Sequence, residues 1–225
     1  MRDTAARKAS ILKAAVSSFV DFGFEDATLK AISQASGAAI GSIVHFFTDK
    51  PGLALAVRTE AAQGLAVVVT RALEGSGNAA PASIFAAITA YLEWAHSNPT
   101  DVLVLHRLRL IDGVDDQQAR HGDIHQSLFT SLAIWAAPYI QTQVMRPMSP
   151  SGLFAIILAP VAFIALTSVN SGCHEANEPE STGWPTILTQ AAVAALMRAD
   201  RPAAPKIQRN SASKSRNAFE GQGLL

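Results

Sequence analysis

Residues 28–53 read TLKAISQASGAAIGSIVHFFTDKPGL, and this stretch decides how the N-terminal part of the chain folds. Thr28 is a good N-cap for a short helix with a two-turn apolar stripe, and Gly37 is expected to end that helix. A second short helix is predicted from about Ala39 to Phe46. Two short helices joined by a glycine-containing turn are typical of a helix-turn-helix unit, here residues 28–47, whose second helix enters the DNA major groove. The side of that second helix expected to be buried carries Ile40, Ile43 and Phe47.

A helix is predicted on each side of this unit. Apolar residues recur at helical spacing from Thr4 to Phe22, and Gly23 is expected to end that helix. Asp49 is predicted to cap a long helix that runs to about Leu73, with Pro51 in its first turn, where a missing N–H costs nothing.

The rest of the chain also has helical patterns and no alternating strand pattern. These patterns cover about 81–96, 99–111, 123–145, 151–170 and 185–198, and Pro138 is expected to bend the third of them. Apolar residues make up 49% of the chain but aromatic residues only 7%, so most of the apolar bulk is aliphatic and includes the strong helix former Ala. The predicted fold is all-α, with an N-terminal three-helix helix-turn-helix domain followed by a larger helical domain.

The formal charges balance at 18 basic and 18 acidic residues, but they are unevenly distributed. Residues 1–60 hold seven basic and six acidic side chains, residues 61–200 six and eleven, and residues 201–225 five and one. The last segment has too little apolar material to fold and is predicted to be a disordered basic tail. One cysteine excludes an intrachain disulfide framework, and the charged N-terminus lacks the apolar region of a signal peptide. These features favour a cytoplasmic protein.

The segment 153–169 is almost wholly apolar, so a membrane span has to be considered. Seventeen residues of helix reach only about 25 Å, the lower limit for a span. Pro160 lies in the middle, and the acidic residues that follow provide no positive-inside signal. We therefore expect a helix buried in a bundle or at a subunit interface. A membrane-attached or purely structural helical protein, anchored by residues 153–169, is the alternative.

The ordered string of residues from Ile11 to Leu53 resembles the tetracycline-repressor (TetR) family of transcriptional regulators. The resemblance covers about residues 5–65, which would form the DNA-binding domain. The matching residues are Ile11, Leu12, Ala14, Ala15, Phe19, Gly23, Phe24, Thr28, Ile32, Ser36, Gly37, Gly41, Ser42, Ile43, His45, Phe47, Lys50 and Leu53.

The resemblance implies a sequence-specific regulator that binds a double-stranded DNA operator. Thr28, at a helix N-terminus, and Lys50, in the first turn of the long helix, would contact phosphates. Side chains on the second helix of the unit would reach base edges or a thymine methyl group, and Gly41 would let the backbone approach closely. Taken singly, each of these residues could instead have an ordinary capping or surface role. The predicted DNA-binding residues are Thr28, Lys30, Ala39, Gly41, Ser42, His45 and Lys50.

Two positions depart from the family pattern. Val44 stands where the family usually has a tyrosine that contacts a phosphate, and Phe46 stands where a histidine is usual. Each lost hydrogen bond is worth about 1 kcal/mol, so the departures affect DNA affinity and operator choice more than the fold.

Residues 66–200 would form an effector-binding and dimerisation domain. The resemblance implies that the last two long helices pair with those of a second subunit, which makes the protein a homodimer and gives residues 153–169 an apolar environment. A small-molecule effector would bind among the preceding helices and release a repressor from its operator, and the acidic middle of the chain favours a neutral or cationic effector. Ordinary core packing is the alternative for each of the predicted pocket residues, which are Phe85, Trp94, Leu103, His106, Phe129, Trp135 and Phe163.

No enzymatic motif accounts for the chain as well. His121 and His125 have the spacing of metal ligands, but the string HGDIH lacks the glutamate of a metalloprotease motif. The run 173–175 (Cys-His-Glu) is a second, unsupported cluster. No glycine-rich phosphate loop or nucleophile elbow is present, so we expect no catalysis, no metal and no cofactor.

Overall fold

A computed structural model describes residues 2–76, 79–108, 126–171 and 183–198 of the chain. The predicted histidine pair 121/125, the 173–175 cluster and the predicted tail 201–225 lie outside the described residues. Helices account for most of the described residues, and strand pairing among them is limited to one isolated bridge between Met145 and Met197. The helices are α1 (Arg2–Asp26), α2 (Leu29–Ser36), α3 (Ile40–Phe47), α4 (Lys50–Gly75), α5 (Ala80–Ser97), α6 (Pro99–Arg107), α7 (Gln126–Gln141), α8 (Pro150–Ile157), α9 (Ala159–Asn170) and α10 (Trp184–Leu196).

The first four helices confirm the pattern predicted for the N-terminal part. The helical course of α1 is interrupted at Gly23, which has φ 79° and ψ 171°, and one further turn follows it. Gly37 ends α2 in the left-handed conformation, with φ 68°. Asp49 caps α4, and Pro51 lies in its first turn.

The described helices bury two apolar cores that meet along α4. The N-terminal core takes its α4 residues from Leu53 to Ala61, and the second core begins at Leu65. A single continuous helix therefore connects the two cores, close to the predicted domain boundary at residue 65. The large side chains of the N-terminal core include Ile11, Phe19, Ile32, Ile43, Phe47 and Leu53.

Helix α6 also joins the two parts of the molecule. Val104 and Leu108 are buried in the N-terminal core although they lie far along the chain. The Arg107 guanidinium donates a hydrogen bond of 2.7 Å to the carbonyl oxygen of Val20 in α1. Helix α6 thus packs against α1 and α4 of the N-terminal part, a contact that local sequence patterns do not indicate.

The single helix predicted for residues 151–170 is wrong, because this segment forms two helices. Helices α8 and α9 meet at a bend of 43° next to Leu158. Pro160 lies in the first turn of α9; it has no N–H to donate, and its ring would clash with the carbonyl oxygen of Ile156 in a continuous helix. The residues that this pair buries in the second core are Leu153, Ile157, Leu158, Val161 and Ala165.

By length and composition, α4 is apolar enough to cross a membrane, as are α8 and α9 if counted as one bent span. The apolar stretch of α4 is 56% buried within the protein, and core helices of soluble proteins can be equally long and apolar.

Helix α7 contains Pro138 and ends at Gln141, earlier than predicted.

Candidate nucleic-acid interface

The N-terminus of α2 is open to solvent and capped by Thr28. The Thr28 hydroxyl oxygen accepts a hydrogen bond of 3.1 Å from the backbone N–H of Ala31. Thr28 and Lys30 are both exposed, whereas the preceding Ala27 is buried. The cap fixes where α2 begins and leaves a helix N-terminus, which favours anions, on the surface.

Serine side chains hold the turn between α2 and α3. Ser33 donates a hydrogen bond of 2.6 Å to the carbonyl oxygen of Ala38, and the Ser36 hydroxyl accepts one of 3.3 Å from the Ala38 N–H. Ser10 in α1 donates to the carbonyl oxygen of Ser36 at 2.9 Å. Together with the left-handed Gly37, these bonds fix the angle between the two short helices.

Helix α3 is anchored by Ile43 and Phe47, which are 1% and 6% exposed. The Lys8 ammonium lies 5.9 Å from the centre of the Phe47 ring, on the α1 side. The predicted burial of Ile40 is wrong, because this side chain is 44% exposed. Ile40 is the first residue of α3, a full helical turn or more before Phe47, and the side chain stays exposed there.

The predicted base-reading residues differ in how far they reach into solvent. Ala39 and His45 are exposed and Ser42 is half-buried, while Gly41 lies on the exposed side of α3 with open space around it. Val44 is 44% exposed, and sequence reasoning noted it only as a departure from the family pattern. The apolar side chain of Val44 did not indicate an exposed position, because an isolated valine is ordinarily assigned to a buried face.

Lys50 has intramolecular contacts that the sequence did not predict. Its ammonium group donates hydrogen bonds of 3.0 Å to the carbonyl oxygens of both Glu25 and Ala27, and it lies 4.5 Å from the centre of the Phe24 ring. The side chain thus ties the start of α4 to the turn between α1 and α2. An ammonium group has three donors, so one remains for a phosphate oxygen.

The turn between α3 and α4 depends on a close approach at Gly52. The Asp49 carboxylate accepts a hydrogen bond of 2.7 Å from the Gly52 N–H, which caps α4. A Cβ atom at residue 52 would collide with the carbonyl oxygen of Phe47. Glycine is therefore required where α4 starts directly behind α3.

The second domain contains an open cleft of about 1360 Å³ at the far end of α4. Helices α4, α5 and α7 line it together with the chain that follows α10. The centres of the Trp135 and Tyr139 rings are 5.5 Å apart. The Nε1 atom of Trp135 is buried without a hydrogen-bond partner among the described residues. Residues that line the cleft include Thr70, Glu74, Ile134, Trp135, Tyr139, Val144, Met197 and Arg198.

The seven predicted pocket residues are not brought together, and of them only Trp135 lines this cleft. Phe163 and Phe85 point outward and are 67% and 43% exposed, because each lies on the side of its helix away from the core. Trp94 is a buried core residue and packs edge-on against Tyr91, with 6.3 Å between the ring centres.

The other three predicted pocket residues lie elsewhere. On α6, His106 is exposed and Leu103 is half-buried. Phe129 on α7 packs edge-on against Phe154 of α8, with 5.6 Å between the ring centres. Helical periodicity identified large, mostly apolar side chains. It did not determine which of them line the same cavity. Within the described ranges no three His, Cys, Asp or Glu residues are grouped so as to hold a metal ion.

A helix-turn-helix unit with a solvent-facing second helix, carried on a larger helical domain, defines a class of DNA-binding proteins. Residues 11–57 match the family model described as "Bacterial regulatory proteins, tetR family". Over residues 11–57 the chain is therefore similar to TetR family regulators.

A named repressor is similar to part of the chain. The HTH-type transcriptional repressor Rv1474c of Mycobacterium tuberculosis is 37% identical over 67 residues, which are 30% of this chain and 36% of that repressor. The match thus spans about a third of the length of this curated relative.

Solved structures extend the likeness to nearly the whole fold. A TetR family transcription regulator from Marinobacter aquaeolei VT8 superposes with a TM-score of 0.67 at 15% identity, over 88% of this chain and all of that one (100%). The transcriptional regulator FadR from Bacillus subtilis, solved in complex with stearoyl-CoA, has a TM-score of 0.67 at 14% identity, over 82% of this chain and 97% of FadR. At these identities the likeness concerns the fold.

Proposed function

We propose that this protein is a sequence-specific transcriptional repressor that binds a double-stranded DNA operator as a homodimer and is released by a small-molecule effector. The observation that carries the proposal is the exposed face of α3 on a rigidly held helix-turn-helix unit that matches the TetR family model. The name of the M. tuberculosis relative, a transcriptional repressor, supports the same direction of regulation. Such a protein acts in the cytoplasm and has no catalytic role.

Exposed apolar side chains on α9 and on α10 support dimerisation. Phe163 on α9 is 67% exposed, and Ile187 and Trp184 on α10 are 54% and 36% exposed. Large apolar side chains left exposed on these two helices indicate an interaction surface. Pairing these helices with those of a second subunit would bury them in a four-helix bundle and place two α3 helices on successive major grooves about 34 Å apart.

The cleft beside Trp135 is the effector site that we propose. It joins an aromatic and aliphatic floor to a few polar groups, including Glu74 and Arg198 on opposite elements. Predominantly apolar clefts with a small number of polar groups are typical of small-molecule sites. The FadR structure with stearoyl-CoA is a case in which a protein of this fold holds an organic ligand.

Effector binding would act on DNA binding by shifting a conformational equilibrium. Helices α4 and α6 each contribute residues to both cores. The hydrogen bond from Arg107 to Val20 connects α6 with α1. An effector that favours one arrangement of these helices would change the separation of the two α3 helices. Release on effector binding is the sign that we propose.

The proposal is tested by a gel-shift experiment with the DNA upstream of the protein's own gene, at two salt concentrations. We expect one fragment to be preferred over bulk DNA, with affinity that falls as salt rises. His45→Ala and Ser42→Ala should change which sequences are preferred, because we propose that both side chains reach base edges. If no fragment is preferred at either salt concentration, the regulator proposal is wrong.

The alternative of a membrane-attached helical protein rests on the apolar character of α8 and α9. Cell fractionation separates the two proposals. Recovery of the protein only in detergent would favour the membrane alternative, whereas recovery in the buffer-soluble fraction favours the regulator.

A further inference from the structure

The exposed surface of α3 is largely apolar. Its exposed residues are Ile40, Gly41, Val44 and His45. Ile40 and Val44 are each 44% exposed and lie one helical turn apart, so they form a continuous apolar strip. No other described part of the protein covers this strip.

The strip has little capacity to read bases through hydrogen bonds. The eight residues of α3, IGSIVHFF, include no Arg, Lys, Asn, Gln, Asp or Glu. Bidentate contacts to guanine or adenine come from Arg, Lys, Asn and Gln, so α3 cannot make them. His45 and the half-buried Ser42 are the polar side chains that α3 offers.

The chemistry of the major groove identifies what an apolar strip can recognise. The C5-methyl group of thymine is the apolar group that a base pair presents there. Contact with a branched aliphatic side chain removes this methyl group from water, whereas cytosine places a hydrogen and an amino group in the same region. Ile40 and Val44 therefore distinguish thymine from cytosine by apolar burial alone.

We infer that Ile40 and Val44 are specificity-determining residues that read thymine methyl groups in the operator. This inference rests on the proposed DNA-binding function and adds the chemical group that is recognised. It also gives the valine at position 44, where the family usually has a tyrosine, a role in base reading instead of phosphate binding.

The first experiment selects binding sites for the full-length protein from a randomised double-stranded DNA library. We expect enrichment of sites with thymines at fixed positions in each half-site. If no sequence is enriched, the proposed function itself fails. If sites are enriched but contain no fixed thymine, the proposed function stands and the inference about Ile40 and Val44 is overturned.

The second experiment replaces single thymines of the selected site by uracil, which removes only the methyl group. Each contacted methyl should contribute about fourfold to affinity, the effect of burying one methyl-sized group. Val44→Ala and Ile40→Ala should each lose the response to uracil at one thymine while keeping it at the others. Val67→Ala, at a 49% exposed valine on α4, is the matched control and should respond to uracil as the unaltered protein does.

Equal weakening of thymine-containing and uracil-containing sites in Val44→Ala and Ile40→Ala would overturn the inference. Circular dichroism and sedimentation of the variants complete the test. A change in their mass in solution, without a change in the uracil response, would assign the strip to a contact between protein chains instead.

Discussion

Lys50 shows how one side chain serves both the fold and the proposed interface. Two of its three N–H groups bond to backbone carbonyl oxygens before α2, and its stem brings the charge close to the Phe24 ring. The phosphate contact expected from the sequence uses the remaining donor and stays a prediction. The observed contacts also place Thr28, because they hold the turn from which α2 starts.

Lys50→Met is expected to weaken two properties at once. Loss of the two hydrogen bonds and the ring contact should lower the free energy of unfolding by about 1 kcal/mol, since the group is partly exposed. Loss of the charge should weaken binding to all DNA sequences alike and reduce the salt dependence. Lys30→Met, at an exposed residue of α2, is the control and should reduce DNA binding with little effect on unfolding. A Lys50 variant of unchanged stability would contradict the structural role.

Asp101 in the first turn of α6 has an altered titration. Burial raises the pKa of its carboxyl group, and the negative charge of Glu60 on α4 raises it further. A raised pKa in the folded state means that ionisation of Asp101 costs stability. The folded state therefore holds the Asp101 proton more tightly than the unfolded state does. The stability that this provides is present at low pH and is lost as the pH rises through the folded-state pKa.

Glu60→Gln is expected to lower the pKa of Asp101 and to stabilise the fold at pH 7. The stabilisation should shrink as the pH falls and the Asp101 carboxyl group takes up its proton. Urea denaturation between pH 4 and 7 measures the effect, with the exposed Glu93→Gln on α5 as the control. A gain in stability that is the same at every pH would contradict the electrostatic explanation.

At the scale of elements, the two turns of the helix-turn-helix region require glycine for different reasons. Gly37 has φ 68°, a conformation that side chains rarely adopt, although open space surrounds it. Gly52 lies in a helix, but a Cβ atom there would collide with a backbone oxygen of α3. The first turn is limited by backbone conformation and the second by packing.

Alanine substitutions separate these two causes. Gly37→Ala should destabilise the protein by about 1 kcal/mol, the cost of a left-handed residue with a side chain. Gly52→Ala should cost more, about 3 kcal/mol, because α3 and α4 must move apart. Gly41→Ala, at a helical glycine with open space around it, should leave thermal stability unchanged or slightly higher. Equal melting temperatures for the Gly37 and Gly52 variants would show that the packing argument is wrong.

At the scale of the whole molecule, the N-terminal unit is not independent of the larger domain. Val104 of α6 and Leu108 directly after it complete its core, and α4 runs through both cores. A change in the second domain can therefore reach α2 and α3 through packed side chains, which is the physical requirement of the proposed regulation.

Phe163→Glu is expected to prevent dimerisation, because it places a charge in the centre of the apolar face of α9. Sedimentation should show a monomer, and operator affinity should fall at least tenfold since the two half-sites are no longer bound together. Phe85→Glu, at a phenylalanine 43% exposed on α5, is the matched control and should remain a dimer. A dimeric Phe163 variant would place the subunit interface elsewhere.

The sequence by itself determined the local features of the N-terminal unit. Thr28, Gly37 and Asp49 act through their own backbone neighbours, so their capping and turn roles can be recognised in a short window. The all-helical class follows from the same local periodicity. The structural neighbours extend this class to nearly the whole chain.

Only the tertiary structure decided which faces meet and which remain open. Ile40 and Phe163 both look like core residues in the sequence, yet each is exposed because no other described element packs on that side. Likewise, Lys50 meets carbonyl groups 23 and 25 residues earlier, a contact that no local spacing encodes. Periodicity identifies an apolar face, but its partner depends on the packing of elements distant in sequence, and so the cleft at Trp135 and the apolar strip of α3 could be found only in three dimensions.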